Sequence, residues 1–267
     1  LESGLYRSDT PVSTSPGWMR VGVNTVRDVH DYGQLDVSGV IRKSSNVGIT
    51  KIALALPAED IWSLLSELGF GEQTFSGFPG EASGLLSHYR GWNAIETATL
   101  AYGYGISVTA LQLAQAYAVL ATDGIKRPIS FLQVDETVEE RRVLPAAVVR
   151  QVRAMLEQAA GPEGTAPASA VAGYRVAGKT GTVKKSIAGG YARNKYLAVF
   201  AGMAPASDPR LVMVVMVDEP GNGKYYGGQV AAPVFSRVMS GALRLMNVPP
   251  DDLPLLHTQL EATGEPA

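Results

Sequence analysis

No cysteine occurs in these 267 residues, which excludes disulfides, zinc-thiolate sites and thiol nucleophiles, and allows an oxidising compartment without requiring one. Histidine is nearly as scarce. His30, His88 and His257 are scattered among polar stretches, so neither a histidine metal site nor a Ser-His-Asp triad is expected. Long apolar runs are missing: Leu211 to Val217 stops at Asp218, far short of the ~20 residues that cross a bilayer, and no signal-peptide pattern opens the sequence. Neither sign of charge is in excess. With 23 basic against 25 acidic residues, nothing in the charge balance draws the chain to nucleic acid or an anionic membrane surface.

What is present suits a globular protein with a sizeable core: 46% hydrophobic and 18% charged residues. The opening Leu1-Glu2-Ser3-Gly4-Leu5-Tyr6 reads like the end of a helix rather than a natural start, so a fragment is expected. Residues 8–35 read as loops with a short strand at Trp18 to Val23.

Helical spacing predicts helices at Asp36 to Lys43, Val47 to Leu56 and 59–69, the last with Ile61, Leu64, Leu65 and Leu68 on one face and Gly69 as its stop. A glycine- and serine-rich loop fills 71–92. Thr109 and Gln112 form a capping box for a helix to Thr122, and another runs from Pro145 to Ala160. Between these two helices, 126–142 reads as a solvated segment that includes Glu136. Strands are predicted at Tyr174 to Val183, Tyr196 to Ala204 and Leu211 to Val217, and the tight Pro205 to Pro209 turn makes the last two antiparallel. A closing helix spans Ala231 to Met246, with Val234, Val238, Ala242 and Leu245 as its inner face, and 251–267 is expected to be a loose tail. This order gives an α/β sandwich with a mainly antiparallel sheet.

The chemistry concentrates in Gly178-Lys179-Thr180-Gly181-Thr182, where an ammonium and two hydroxyls stand among glycines on a predicted strand. Glycine there lets a backbone or a ligand approach closely, which outlines an anion or carboxylate site. Gly173-x4-Gly178-Lys179-Thr180 also matches the P-loop pattern, with Asp218 ending an apolar strand as a magnesium ligand would. A P-loop needs a strand before its first glycine and a helix beginning at the lysine. Here Ala166 to Ala170 precedes the first glycine, and Gly181 with Gly189-Gly190 opposes a helix.

Ser44-Ser45-Asn46 lies between two predicted helices and has two readings. Such residues cap free helix N–H groups, or they hold a hydroxyl and an amide rigidly at a cleft.

Together, Lys43-Ser44-Ser45-Asn46-Val47-Gly48, Tyr102-Gly103-Tyr104-Gly105, Lys179-Thr180-Gly181-Thr182, Ala201-Gly202-Met203-Ala204-Pro205-Ala206 and Lys224-Tyr225-Tyr226-Gly227-Gly228 resemble the class B penicillin-binding proteins, in their division-specific branch. The resemblance runs from about residue 1 to residue 253 and implies the C-terminal part of a penicillin-binding/β-lactamase-like transpeptidase fold over 1–250. It implies an enzyme without metal or cofactor that acts on peptidoglycan stem peptides and is acylated by β-lactam antibiotics. It also implies the periplasmic face of the bacterial inner membrane, with division-complex membrane proteins as partners of segments outside this sequence. Ser44 would relay a proton to the leaving amine, Asn46 would bind the substrate amide, and Lys179 would support the proton network. Thr180 and Thr182 would bind the terminal carboxylate, the Thr182 N–H would form half an oxyanion hole, and Gly181, Tyr104, Tyr225, Tyr226 and Gly227 would line the cleft.

The family's nucleophile belongs to a Ser-x-x-Lys turn, and none occurs in residues 1–267; the nearest imitation is Thr182-x-x-Lys185. A penicillin-recognising sensor or a serine β-lactamase would share these motifs, and each would need context that the sequence does not show.

Overall fold

The computed structural model describes residues 1–134, 138–187 and 190–252. Glu136, Gly189 and the expected tail from 253 onward lie outside the described residues. Strands β1 (Pro11–Ser13), β2 (Trp18–Val21), β3 (Asn24–Arg27) and β4 (Gln34–Asp36) make two antiparallel ribbons, β1 with β4 and β2 with β3. Three helices follow, α1 (Val37–Lys43), α2 (Asn46–Leu54) and α3 (Ala58–Glu67). The starts of α1 and α2 are written locally. The Asp36 carboxylate accepts from Gly39 N at 2.6 Å and the Ser45 hydroxyl accepts from Gly48 N at 2.8 Å.

Next come β5 (Leu85–Leu86), α4 (Ala94–Leu100), β6 (Ile106–Ser107), α5 (Ala110–Ala121), β7 (Ile125–Lys126), β8 (Arg141–Arg142) and α6 (Ala146–Ala160). The expected capping box opens α5: the Thr109 hydroxyl accepts from Gln112 N at 3.0 Å, and Thr109 N donates to Gln112 Oε1 at 2.7 Å.

The predicted antiparallel sheet is present in the order β11-β10-β9, from β9 (Ala177–Ile187), β10 (Gly190–Ala204) and β11 (Leu211–Asp218). Lys179 stands inside β9, so no helix begins there and the P-loop reading fails. The strand starts later than expected. Tyr174 makes an isolated bridge with Val171, and its hydroxyl donates to Val248 O at 2.6 Å. The strand also runs past its expected end at Val183, to Ile187, where Ser186 and Ile187 pair with Tyr191 and Gly190 of β10.

Helices α7 (Gly227–Val230) and α8 (Ala232–Leu245) close the chain. One face of the sheet packs on α8 through Phe200, Phe235, Met239 and Leu243, while the other packs on α5 and α6 through Ala177, Met203 and Leu156. The inner face of α8 therefore differs from the predicted one. Val238 is 52% exposed and Leu245 86% exposed, whereas Phe235 is fully buried. Two neighbouring apolar stripes both have helical spacing, and the ring contact between Phe200 and Phe235, at 4.8 Å between centroids, selects one. Asp251 and Asp252, counted with the expected tail, are held by the domain. Asp251 accepts from Arg175 N and from the Ser207 hydroxyl, and Asp252 N donates to Gly173 O.

Gly178 owes its place to this core: a Cβ there would lie 2.5 Å from Phe200 Cζ. Phe235→Ala is expected to destabilise the domain by about 3–5 kcal/mol, the usual cost of emptying a buried aromatic site, as read from denaturant unfolding. A change below about 1 kcal/mol would place the core elsewhere.

Candidate active site

The site begins with an unusual turn. The N–H of Ser44 donates to Ile41 O and that of Ser45 to Val40 O, the paired bonds that end a helix in a left-handed residue. Glycine is the usual occupant, yet Ser44 holds φ 57° and ψ 46°. A side chain in that conformation costs roughly 1–2 kcal/mol, so neighbouring contacts must hold it.

Three further hydrogen bonds do so. Asp28, just past β3, accepts from the Ser45 hydroxyl at 2.5 Å and from Val47 N at 3.0 Å, and Asn46 Nδ2 donates to Arg27 O at 3.0 Å. Both readings of the tripeptide are thereby met by different residues. Ser45 is the buried cap, and Ser44 is left exposed at the end of α1.

Facing this turn is β9, an edge strand of the sheet among the described residues. Strand alternation sends Lys179 to the face that carries Ala177, toward α6, and sends Thr180 and Thr182 to the opposite face. Lys179 reaches across and its Nζ donates to Ser44 Oγ at 2.8 Å and to Thr180 O at 3.2 Å. Burial lowers its pKa from the ordinary 10.5 to about 8, because the ammonium loses water that two protein acceptors only partly replace.

On the other face, Gly227 N donates to Thr182 Oγ1 at 3.0 Å, and the Thr180 and Thr165 hydroxyls lie 2.7 Å apart. Gly227 must be glycine, since a Cβ there would fall 2.2 Å from Val199 O.

These walls enclose a cleft of about 420 Å3, a size suited to a small ligand, lined by Ser44, Asn46, Tyr102, Gly103, Lys179, Thr180, Gly181 and Thr182 with apolar Val40, Ile41, Ile49 and Leu156 beneath. Tyr117 of α5 completes the floor, and burial raises its phenol above the ordinary range, so it stays protonated.

Four expected lining residues stand outside that wall. Tyr104 packs edge-on against Tyr102 and accepts from Lys184 N at 3.2 Å, while Tyr225 stacks on Tyr196 at 4.2 Å and its hydroxyl donates to that of Tyr226. Gly227 serves from behind through its N–H rather than by touching the cavity.

Asp28 and Thr165 were not legible in the sequence. Neither belongs to a motif, and each acts through a long-range hydrogen bond.

A left-handed serine against a half-buried lysine, beside paired threonines on one strand, makes up the polar side of this cleft. The chain belongs to the penicillin-binding protein transpeptidase domain family, whose model matches residues 1–240. It is 46% identical over 253 residues to the peptidoglycan D,D-transpeptidase FtsI of Escherichia coli, and 41% identical over 250 residues to the probable peptidoglycan D,D-transpeptidase PenA of Neisseria meningitidis. Those alignments cover 95% and 94% of this chain, and it spans 43% of the length of each relative. The transpeptidase domain of penicillin-binding protein 3 from Burkholderia pseudomallei superposes with a TM-score of 0.91 at 42% identity, covering 95% of this chain and 77% of that one. The fold is the α/β penicillin-binding transpeptidase fold, with an antiparallel sheet covered by helices.

The Lys179 amine is expected to titrate with a midpoint near pH 8, charged below and neutral above, when followed by NMR at its Nζ. A midpoint near 10.5 would show that its site is wet.

Proposed function

We propose that this chain carries the substrate-holding part of a peptidoglycan D,D-transpeptidase that is acylated by β-lactams. The single observation that carries this reading is the 2.8 Å contact from Lys179 Nζ to Ser44 Oγ, made beside Thr180 and Thr182 in one cleft. A serine outside residues 1–267, in a Ser-x-x-Lys turn, attacks the carbonyl carbon of a stem peptide ending in D-Ala-D-Ala. The tetrahedral oxyanion is stabilised in part by the Thr182 N–H, the C–N bond breaks, and Ser44 passes a proton to the departing amine. An acceptor amine then attacks the acyl ester, forming the cross-link and releasing the serine.

Asn46 holds the peptide amide. Thr180 and Thr182 hold the terminal carboxylate, with the positive charge of Lys179 nearby. Gly181 leaves the strand open to the ligand backbone, and Tyr104, Tyr225 and Tyr226 border the cleft mouth. The reaction needs no metal or cofactor. Its setting is the periplasmic face of the bacterial inner membrane, with division-complex membrane proteins engaging other segments and no role for nucleic acid. Because Lys179 loses its charge above about pH 8, capture of a carboxylate ligand weakens as pH rises through that value.

In a polypeptide that joins these residues to a Ser-x-x-Lys segment, Lys179→Ala is expected to slow penicillin acylation by at least ~100-fold, the scale of a lost proton-relay or electrostatic group. An unchanged rate would reject the role. Residues 1–267 alone are expected to gain no mass on treatment with a labelled penicillin, and a stoichiometric adduct on one of their own serines would place the nucleophile among them.

A further inference from the structure

The loop after α6, residues 161–165, belongs to none of the family motifs, yet it touches both walls of the cleft. On one side, Arg42 NH1 pairs with Glu163 Oε2 at 3.2 Å and Lys43 Nζ donates to Glu163 O at 2.9 Å, so the loop grips the end of α1 immediately before Ser44. On the other side, Thr165 meets Thr180 hydroxyl to hydroxyl at 2.7 Å.

The loop is also held against movement. Thr165 N donates to Ala159 O at 3.0 Å, a Cβ on Gly164 would fall 2.1 Å from that same oxygen, and one on Gly228 would fall 2.2 Å from Thr165 O. Backbone packs on backbone both under and over Thr165.

We propose that Thr165 is a positioning residue that turns the Thr180 hydroxyl toward the ligand carboxylate, with the 161–165 loop as its rigid mount. The reason is hydrogen-bond polarity. A hydroxyl has one proton to give, and a carboxylate only accepts. Thr182 already accepts from Gly227 N, so its own proton is free for a ligand. Thr180 has no such N–H behind it among the described residues. Either hydroxyl can donate at this distance, and with Thr165 as donor to Thr180 Oγ1 the Thr180 proton is left for the cleft. Both threonines then present O–H groups to the same anion, each backed by a donor.

This inference rests on the carboxylate role of Thr180, and the test separates the two. In the polypeptide that includes the Ser-x-x-Lys segment, acylation rates are measured for benzylpenicillin and for its methyl ester, and their ratio is compared among variants. Thr165→Val is expected to lower the acid-to-ester ratio roughly 10-fold, the worth of a hydrogen bond to a charged group, while Thr165→Ser keeps it within about 2-fold. General damage to the fold lowers both rates together and leaves the ratio unmoved. If Thr165→Val yields no acylating protein, Thr165→Ala is read in the same way. A ratio that falls for Thr180→Val but not for the Thr165 variants would overturn the positioning role alone. A ratio unmoved by either would overturn the carboxylate reading with it, and a loss in Thr165→Ser would show that the methyl packing matters and the hydroxyl does not.

Discussion

An ammonium held partly out of water must be met by oxygen, and this domain meets Lys179 with Ser44 Oγ and Thr180 O. The first of those contacts joins residues 135 apart in the chain. It exists only if α1 is seated on α6, through Val37, Val40 and Met155, and if β9 is paired along β10. Those partners are hydrophobic and hydrogen-bonded structures with no chemistry of their own. Their accumulated burial holds one polar contact in a place where it would not form unaided. The strain of Ser44 is part of the same arrangement, since a left-handed serine is tolerated because Asp28 pins the residues after it and the end of α1 pins those before it.

Placing the lysine on a strand rather than a helix decides what the site can recognise. A helix beginning at Lys179 would offer a fan of backbone N–H groups suited to a polyphosphate. A strand offers alternation instead, so Lys179 points to one side of the sheet and Thr180 and Thr182 to the other, all meeting at an open edge. A ligand that lies along the edge meets backbone and both faces together, which suits an extended peptide with a terminal carboxylate. Gly227 and Gly228 bring the start of α7 against that strand from behind, so the hydroxyls have fixed partners before any ligand arrives.

The residues the motifs overlooked are all supports. Asp28, Glu163 and Thr165 touch the functional side chains or their neighbours without lining the cavity, and each lies far from its partner in sequence. The tyrosines expected as cleft walls are a different case. Tyr104, Tyr225 and Tyr226 stand in conspicuous sequence phrases, but their rings pack on Tyr102, Tyr196 and one another.

The sequence by itself determined most of the helices, the three-stranded antiparallel sheet and the small set of groups able to do chemistry, but it left helix α4 and most of the short paired strands from β1 to β8 unread. Local rules suffice for the former: apolar periodicity, the capping box of Thr109 and Gln112, the tight turn at Pro205 to Pro209, and the absence of cysteine and paired histidines. Only the tertiary structure decided which apolar stripe of α8 is inside, that Gly178 makes room for Phe200, that Ser45 caps while Ser44 faces Lys179, and that burial lowers the pKa of Lys179. Burial and polarity at one residue depend on atoms contributed by others far along the chain. Spacing can propose that Ser44 and Lys179 belong together, but the packing of two helices and a sheet brings them to hydrogen-bond distance.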